Sequence, residues 1–276
     1  MVAIMRIATL NAQNLKLRKT DGQLRLQGAW DSDDPENSDL DPIDRRLTAE
    51  LLCEVDADVV ALQEVYDLDS LDYFHERYLL PVGTKPYPHR ICLPGNDGRG
   101  FDVALLSRCR VEKVKSHASL TLRDLEIDPP FGVNLDLPVF RRDCLMVVIG
   151  PLALFICHFK SPYPDPIKAW TTRRLEALAT RRAIESHFHV PGRGLWLILG
   201  DLNEPIIPIA GHQRAIAPLE TNFTIDLMDR LPEGERWTYY ERHTGLYHCP
   251  DALLASPALA TRWLDAIPFI VRMGLG

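Results

Sequence analysis

Residues 197–205 read LILGDLNEP: an aliphatic run suited to burial on both faces of a sheet, then a carboxylate (Asp201) and a carboxamide (Asn203) flanking Leu202. Side chains alternate across a strand, so an extended exit projects Asp201 and Asn203 together and Leu202 away. An acid beside an amide suits a metal-and-phosphate site; the same three residues also fit an Asx-type turn. Further apolar segments carry similar groups at an end. TLNAQN presents Asn11 and Asn14, VVALQEV presents Gln63 and Glu64, LFICHFKS presents His158, Lys160 and Ser161, and DALLAS begins on Asp251. Each has a plain structural alternative: a solvated turn glutamate, a hydrogen-bonded core histidine, an asparagine satisfying a loop, an aspartate capping a turn. Their recurrence at strand ends, as acids, amides and one imidazole, points to chemistry at a phosphorus centre.

The elements that must position these groups are short strands alternating with helices. RIATLN reads as an opening strand, DADVVALQEV as a strand entered by a turn, and residues 16–44, with WDSDDPENSDLDP inside, as a long acidic loop. Residues 44–55 carry leucines at helical spacing, and 70–80 read as a second helix with Ser70 as a possible cap. HRICLP, the GNDGRG turn, FDVALLSR and VEKVKSHASL suggest hairpins and a meander. CLMVVIGPLALFICHFK reads as two strands joined at Gly150-Pro151, followed by a helix over about 168–188 whose Arg173, Arg174, Arg181 and Arg182 are expected on a solvated face. No repeat or linker divides the chain, so a single α/β domain over residues 1–276 is expected.

Composition narrows the function. The chain has 276 residues, 46% of them hydrophobic, and a formal net charge of −7, which argues against tight binding driven by a basic surface alone. Six scattered cysteines with no CxxC pair read as reduced thiols, and the cytoplasm is the expected setting. No apolar stretch approaches a membrane span, and His187-Phe188-His189 lacks the partners of a zinc site. The chain has neither a G-x-S-x-G elbow nor a P-loop, and GNDGRG has the wrong glycine order for a dinucleotide fingerprint, although Arg99 within it could reach a phosphate.

The order T-L-N-x-Q-N-L, L-Q-E-V, H-F-K-S, G-D-L-N and D-x-L-L-x-S resembles the endonuclease/exonuclease/phosphatase superfamily, the DNase I-like fold, from about residue 6 to about residue 256. RGFDVALLSR is similar to a segment of its bacterial nuclease-like members. The resemblance implies a four-layer αββα sandwich of two mixed sheets flanked by helices. It implies Glu64 as the principal ligand of Mg²⁺ (or Mn²⁺), with Asn11 beside the ion. Asp201 would orient or deprotonate the attacking water, and Asn203 and His158 would donate to the phosphoryl oxygens. Asp251 would orient a catalytic histidine, while Lys160, Ser161 and Arg99 would hold substrate and Gln63 would position its neighbours. The implied reaction is in-line attack of water on a phosphoester, with nucleic acid or a nucleotide as the expected substrate.

One family element is missing. The superfamily closes on an S-D-H-x-P motif, and this chain has no such histidine. WLDAIPF could be the motif with Ala266 replacing it. IPFIVRMGLG is expected to be the strand before the motif, with the last family strand lacking. Loss of a positioned acid/base would cost about 10²–10⁴ in rate, and an uncovered sheet edge would invite self-association. The alternatives are a catalytically silent phosphate- or protein-binding member, and a phosphomonoesterase or lipid phosphodiesterase. The acidic charge and lack of basic amphipathic helices speak against membranes as a partner.

Overall fold

The computed structural model describes residues 5–20, 22–28, 40–130, 132–220, 222–241 and 244–272. The chain divides into two compact units, Met1–Val111 with Val271–Gly276, and Glu112–Ile270. Each holds one mixed sheet with helices packed on it.

In the first unit the elements run β1 (Ile7–Leu15), β2 (Leu17–Thr20), β3 (Gln23–Leu26), α1 (Asp41–Val55), β4 (Val59–Val65), α2 (Leu68–Phe74), β5 (His89–Cys92) and β6 (Asp102–Ser107). The sheet order is β1-β4-β6-β5, with β1 and β4 parallel and the other pairs antiparallel. Helix α1 buries Arg45, Ala49, Leu52 and Val55, a 3.6-residue stripe, and ends on Asp56 in the left-handed conformation (φ 42°). These side chains join Leu71 and Phe74 of α2 against Val60, Leu62, Ala104 and Leu106 of the sheet. Alternation then puts Thr9, Asn11 and Gln63 on the face away from the helices.

In the second unit come β7 (Lys113–Lys115), β8 (Cys144–Ile149), β9 (Leu152–His158), α3 (Pro166–His187), β10 (Trp196–Asp201), α4 (Ala217–Glu220), β11 (Ile225–Asp226), β12 (Tyr239–Glu241), β13 (Leu246–His248), β14 (Asp251–Ala255) and α5 (Pro257–Arg262). The sheet order is β11-β14-β10-β9-β8-β7; β9 and β10 are parallel, and the other pairs are antiparallel. Leu175, Ala177, Ala179 and Ile184 of α3 pack on Phe155, Cys157, Trp196, Ile198 and Leu254. His158, Asp201 and Asp251 occupy the alternate positions and so lie on the sheet's other face. The fold class is therefore the expected one, an α/β chain of two mixed sheets flanked by helices.

Several local expectations are corrected. Residues 16–44 are not all loop, since β2 and β3 pair as an antiparallel hairpin from Leu17↔Leu26 to Thr20↔Gln23; most of WDSDDPENSDLDP lies outside the described residues. The cap of α2 is Asp67, whose carboxylate accepts from both the N–H and the hydroxyl of Ser70 (2.7 and 2.6 Å). VEKVKSHASL does not extend the β5–β6 meander, because β7 pairs with β8 in the other sheet. Near the C-terminal end β12 and β13 pair as a short antiparallel hairpin, from Tyr239↔His248 to Glu241↔Leu246. The expected strand over IPFIVR is not formed, since residues 266–272 carry no regular secondary structure. Asp265 is exposed on a turn after α5, away from any strand, which removes WLDAIPF as a stand-in for the terminal motif. Arg173 is fully buried rather than solvated.

Candidate active site

The first unit builds a carboxylate holder. Asn11 pairs with Gln63 across β1 and β4, and both pairings of β4 shift register between Gln63 and Val65. Glu64 is the bulged residue, in the left-handed region at φ 61°. A bulge of this kind re-aims a side chain out of the strict alternation. Its carboxylate accepts from Asn11 Nδ2 at Oε1 (3.2 Å) and from the Asn14 N–H at Oε2 (3.1 Å). Gln63, fully buried, exchanges hydrogen bonds with the Thr9 hydroxyl (3.1 and 3.3 Å), which fixes the strand just before the bulge. Arg99 lies within electrostatic reach of Glu64, but its guanidinium is engaged by Asp97 (3.0 Å).

Behind this holder stands Arg45, which sequence reasoning missed. It is wholly buried and donates to Gln27 O (2.5 Å), Ala12 O (2.6 Å) and Gln13 O (2.5 Å). Burial lowers its guanidinium to about 10, so it remains charged at neutral pH. It ties down the end of β1, where Gln13 and Asn14 both take left-handed backbone (φ 46° and 55°), the geometry that points the Asn14 N–H at Glu64.

The second unit builds a row. His158, Asp201 and Asp251 are register partners on three neighbouring strands, β9, β10 and β14. His158 Nε2 lies 3.7 Å from Asp201 Oδ2. Asp251 sits directly opposite Asp201; burial raises its carboxyl above the ordinary 3.8, and the neighbouring Thr238 hydroxyl works against that rise. Like charges opposite one another on a sheet are destabilising, so this pair favours a bound proton or cation. Asp201, Leu202 and Asn203 form the Asx turn that the sequence also allowed: the Asn203 N–H donates to Asp201 Oδ1 (2.9 Å), with Asn203 left-handed at φ 52°. Leu202 is buried in the core, while Asn203 Nδ2 donates to Phe159 O (3.0 Å), tying the β10 exit to the β9 exit. The turn and the site are thus one arrangement.

Lys160 and Ser161 follow His158 directly, but the Lys160 ammonium turns back on its own loop. It donates to Ser161 O (2.9 Å), Ser161 Oγ (3.2 Å) and Tyr163 O. A buried ionic layer from α3 holds this segment. Glu176, fully buried, accepts from the Lys160 and Arg141 N–H groups (2.8 and 3.0 Å), and burial pushes its carboxyl up to about 7. Arg173 donates to Lys160 O (3.0 Å) and faces Glu204 at 3.5 Å, whose other oxygen accepts from Ala215 N (2.9 Å). One helix face therefore grips the segments after both His158 and Asp201. The signal was present in the sequence: Ala169, Arg173, Glu176, Thr180 and Ala183 repeat at helical spacing, putting an arginine and a glutamate on the apolar stripe.

Among the described residues no group of three or more His, Cys, Asp or Glu gathers as a metal cluster. Glu64 instead offers a single carboxylate, while Asn11 turns its Nδ2 to that carboxylate and its carbonyl oxygen to the Gln13 N–H (3.0 Å); one carboxylate with an amide beside it suits a hard cation that keeps most of its waters.

The chain matches the model of the Endonuclease/Exonuclease/phosphatase family over residues 8–271. Among solved structures it is similar to an AP endonuclease from Archaeoglobus fulgidus (TM-score 0.59, 16% identity, 94% of this chain and 89% of that one). It is also similar to an endonuclease/exonuclease/phosphatase family protein from Leptotrichia buccalis (TM-score 0.58, 13% identity, 92% and 88%). A third is D. rerio TDP2 complexed with single strand DNA product (TM-score 0.51, 14% identity, 91% and 83%). No curated protein matches the chain significantly by sequence. The match over residues 8–271, with the ends of β1, β4, β9, β10 and β14 carrying the polar groups, makes this chain a member of the Endonuclease/Exonuclease/phosphatase family, whose members hydrolyse phosphoester bonds.

Proposed function

We propose that the chain is a divalent-cation-dependent phosphodiesterase that cleaves nucleic acid or nucleotides by in-line attack of water, with residues 1–276 working as one functional domain. The observation that carries this reading is the in-register row of His158, Asp201 and Asp251 on adjacent strands. A phosphoryl centre needs a base or orienting group for water and donors for the oxygens on which charge accumulates. Asp201 is the acid for water; His158 and the second Asn203 amide proton are the donors. The Lys160 ammonium, with its protons committed to the loop, contributes charge rather than open donors, and the Ser161 hydroxyl lies beside it. Asp251 keeps Asp201 in place and shares its charge burden. Glu64 and Asn11 are the residues that would hold Mg²⁺ or Mn²⁺, which supplies charge neutralisation at the phosphoryl group when bound. The amide clamp on both oxygens of Glu64 holds that carboxylate in one orientation. Six free cysteines among the described residues support a reducing, cytoplasmic setting; among the same residues no helix is long and apolar enough to cross a membrane.

The test is hydrolysis of bis(p-nitrophenyl) phosphate and p-nitrophenyl phosphate with Mg²⁺ or Mn²⁺ and with EDTA. Diester cleavage that EDTA abolishes is expected, with Glu64→Gln and Asp201→Asn each lowering the rate by about 10²–10⁴. Rates in both variants equal to wild type overturn the assignment, and preference for the monoester replaces it with a phosphomonoesterase.

A further inference from the structure

Past Lys160 the chain turns into α3 and leaves a cleft of about 340 Å³, lined by Arg141, Lys160, Tyr163, Asp165, Lys168 and Thr172. Its charges are not equivalent. Asp165 caps α3 through the Lys168 N–H (3.1 Å) and pairs with Lys168 Nζ (3.6 Å), so those two largely offset each other. Arg141 is different: its backbone N–H is taken by Glu176, while among the described residues its exposed guanidinium has neither a hydrogen bond nor an ion pair. A planar fork of donors beside a second positive charge matches a phosphate in shape and sign.

The rim adds aromatic surface. Tyr163 is 68% exposed and Tyr239, on β12, is 44% exposed, and the two phenols are close enough to interact electrostatically. Tyr239 packs beside His248 (6.3 Å) on one face of the β12–β13 hairpin, while Tyr240, Tyr247 and Trp237 cluster on the other. Exposed aromatic faces next to a phosphate-sized cationic cleft match a strand whose bases are unstacked, because paired bases keep their faces inside the duplex. On a chain of net charge −7, such a local cluster must do what a basic surface does elsewhere.

We propose that this cleft binds the phosphate neighbouring the scissile one in a single-stranded nucleic acid, with Tyr163 and Tyr239 receiving its unpaired bases. What is cut rests on the hydrolytic reading above; the binding step does not need it. The probe is fluorescein-labelled single-stranded trithymidylate, titrated by fluorescence anisotropy in EDTA so that no turnover occurs. Arg141→Ala, an exposed position, is expected to weaken binding about tenfold and to reduce the salt slope by about 0.7, one phosphate contact's worth. Tyr163→Ala is expected to weaken it at least fivefold. A probe with the neighbouring phosphate replaced by methylphosphonate should bind wild type weakly and lose nothing further in Arg141→Ala. Unchanged affinity in Arg141→Ala, an equal loss with the uncharged probe, or equal affinity for a stably paired hairpin duplex overturns the proposal. Cleavage is read separately with Mg²⁺: binding as described without cleavage sinks the hydrolytic reading and leaves the cleft standing. Cleavage indifferent to Arg141→Ala, together with unchanged binding, sinks the cleft alone.

Discussion

Replacing Glu176 with glutamine should change not only how stable the protein is but how its stability depends on pH. Glu176 is fully buried under the segment after His158, and burial lifts its carboxyl from 4.5 to about 7, the N–H groups of Arg141 and Lys160 and the charges of Arg142 and Arg141 opposing the rise. That difference corresponds to about 3 kcal/mol. Between pH 4.5 and 7 the folded protein holds a proton that the unfolded chain has released, so stability falls as pH rises through that window. Below 4.5 the contribution of this group is constant; above about 7 the full penalty is in place. Glutamine cannot titrate. Its carbonyl can accept from one of the two N–H groups, but its NH₂ faces the other, which costs about 1–3 kcal/mol at every pH. Urea denaturation at pH 4.5, 6.0 and 7.5 should therefore find Glu176→Gln less stable than wild type at the lowest pH and equal or more stable at the highest. The gap should close by about 3 kcal/mol. Parallel curves with a constant gap would mean that Glu176 ionises at its ordinary pH, and that Arg142 and Arg141 compensate its burial in full.

The other predictions concern groups that carry or support the polar tips. Arg45→Met strips a charged donor from three backbone carbonyls while relieving the burial of a guanidinium; a net loss of about 3–5 kcal/mol is expected in urea unfolding, and a loss below about 1 kcal/mol refutes its role as the anchor of β1. Asp251→Asn removes a carboxylate whose ionisation burial opposes, so stability at pH 7 should hold or rise while diester hydrolysis falls at least tenfold; a variant as active as wild type would show that the residue opposite Asp201 is structural.

The parts legible in the sequence were those set by period-two alternation and by what ends a strand. The buried strands β4, β6, β8, β9 and β10 announce themselves as aliphatic runs, and β9 and β10 mark the site because an apolar strand has no packing reason to finish on His158 or Asp201. The β2–β3 hairpin escaped because LRKT and QLRL are short and charged, with little apolar face to read. Strand β7 was assigned the wrong neighbour because alternation reports which face is buried, never which strand lies alongside. The buried ions escaped for a different reason. Arginine and glutamate are read by default as solvent-facing, so Arg45, Arg173 and Glu176 looked like the outer faces of helices whose apolar stripes they interrupt. A charged residue at an apolar-stripe position of a helix next to a polar strand end is the signal that would have found them.

The backbone carries the last step of the argument. Gln13, Asn14, Glu64 and Asn203 all lie in the left-handed region, and all belong to the segments that build the site. A side chain in that region costs about 1–2 kcal/mol, so the strain persists only because hydrogen bonds hold it in place. At Asn14 the group that reaches Glu64 is the backbone N–H, not the carboxamide. Asn14→Gly should therefore relieve strain and keep the contact, leaving the hydrolysis rate within about twofold and raising stability by up to about 1 kcal/mol. Asn14→Val, β-branched and ill-suited to φ 55°, should lower stability and slow hydrolysis together. If the glycine variant were the slow one, the carboxamide itself would be handling substrate, and Glu64 would need another explanation for its fixed direction.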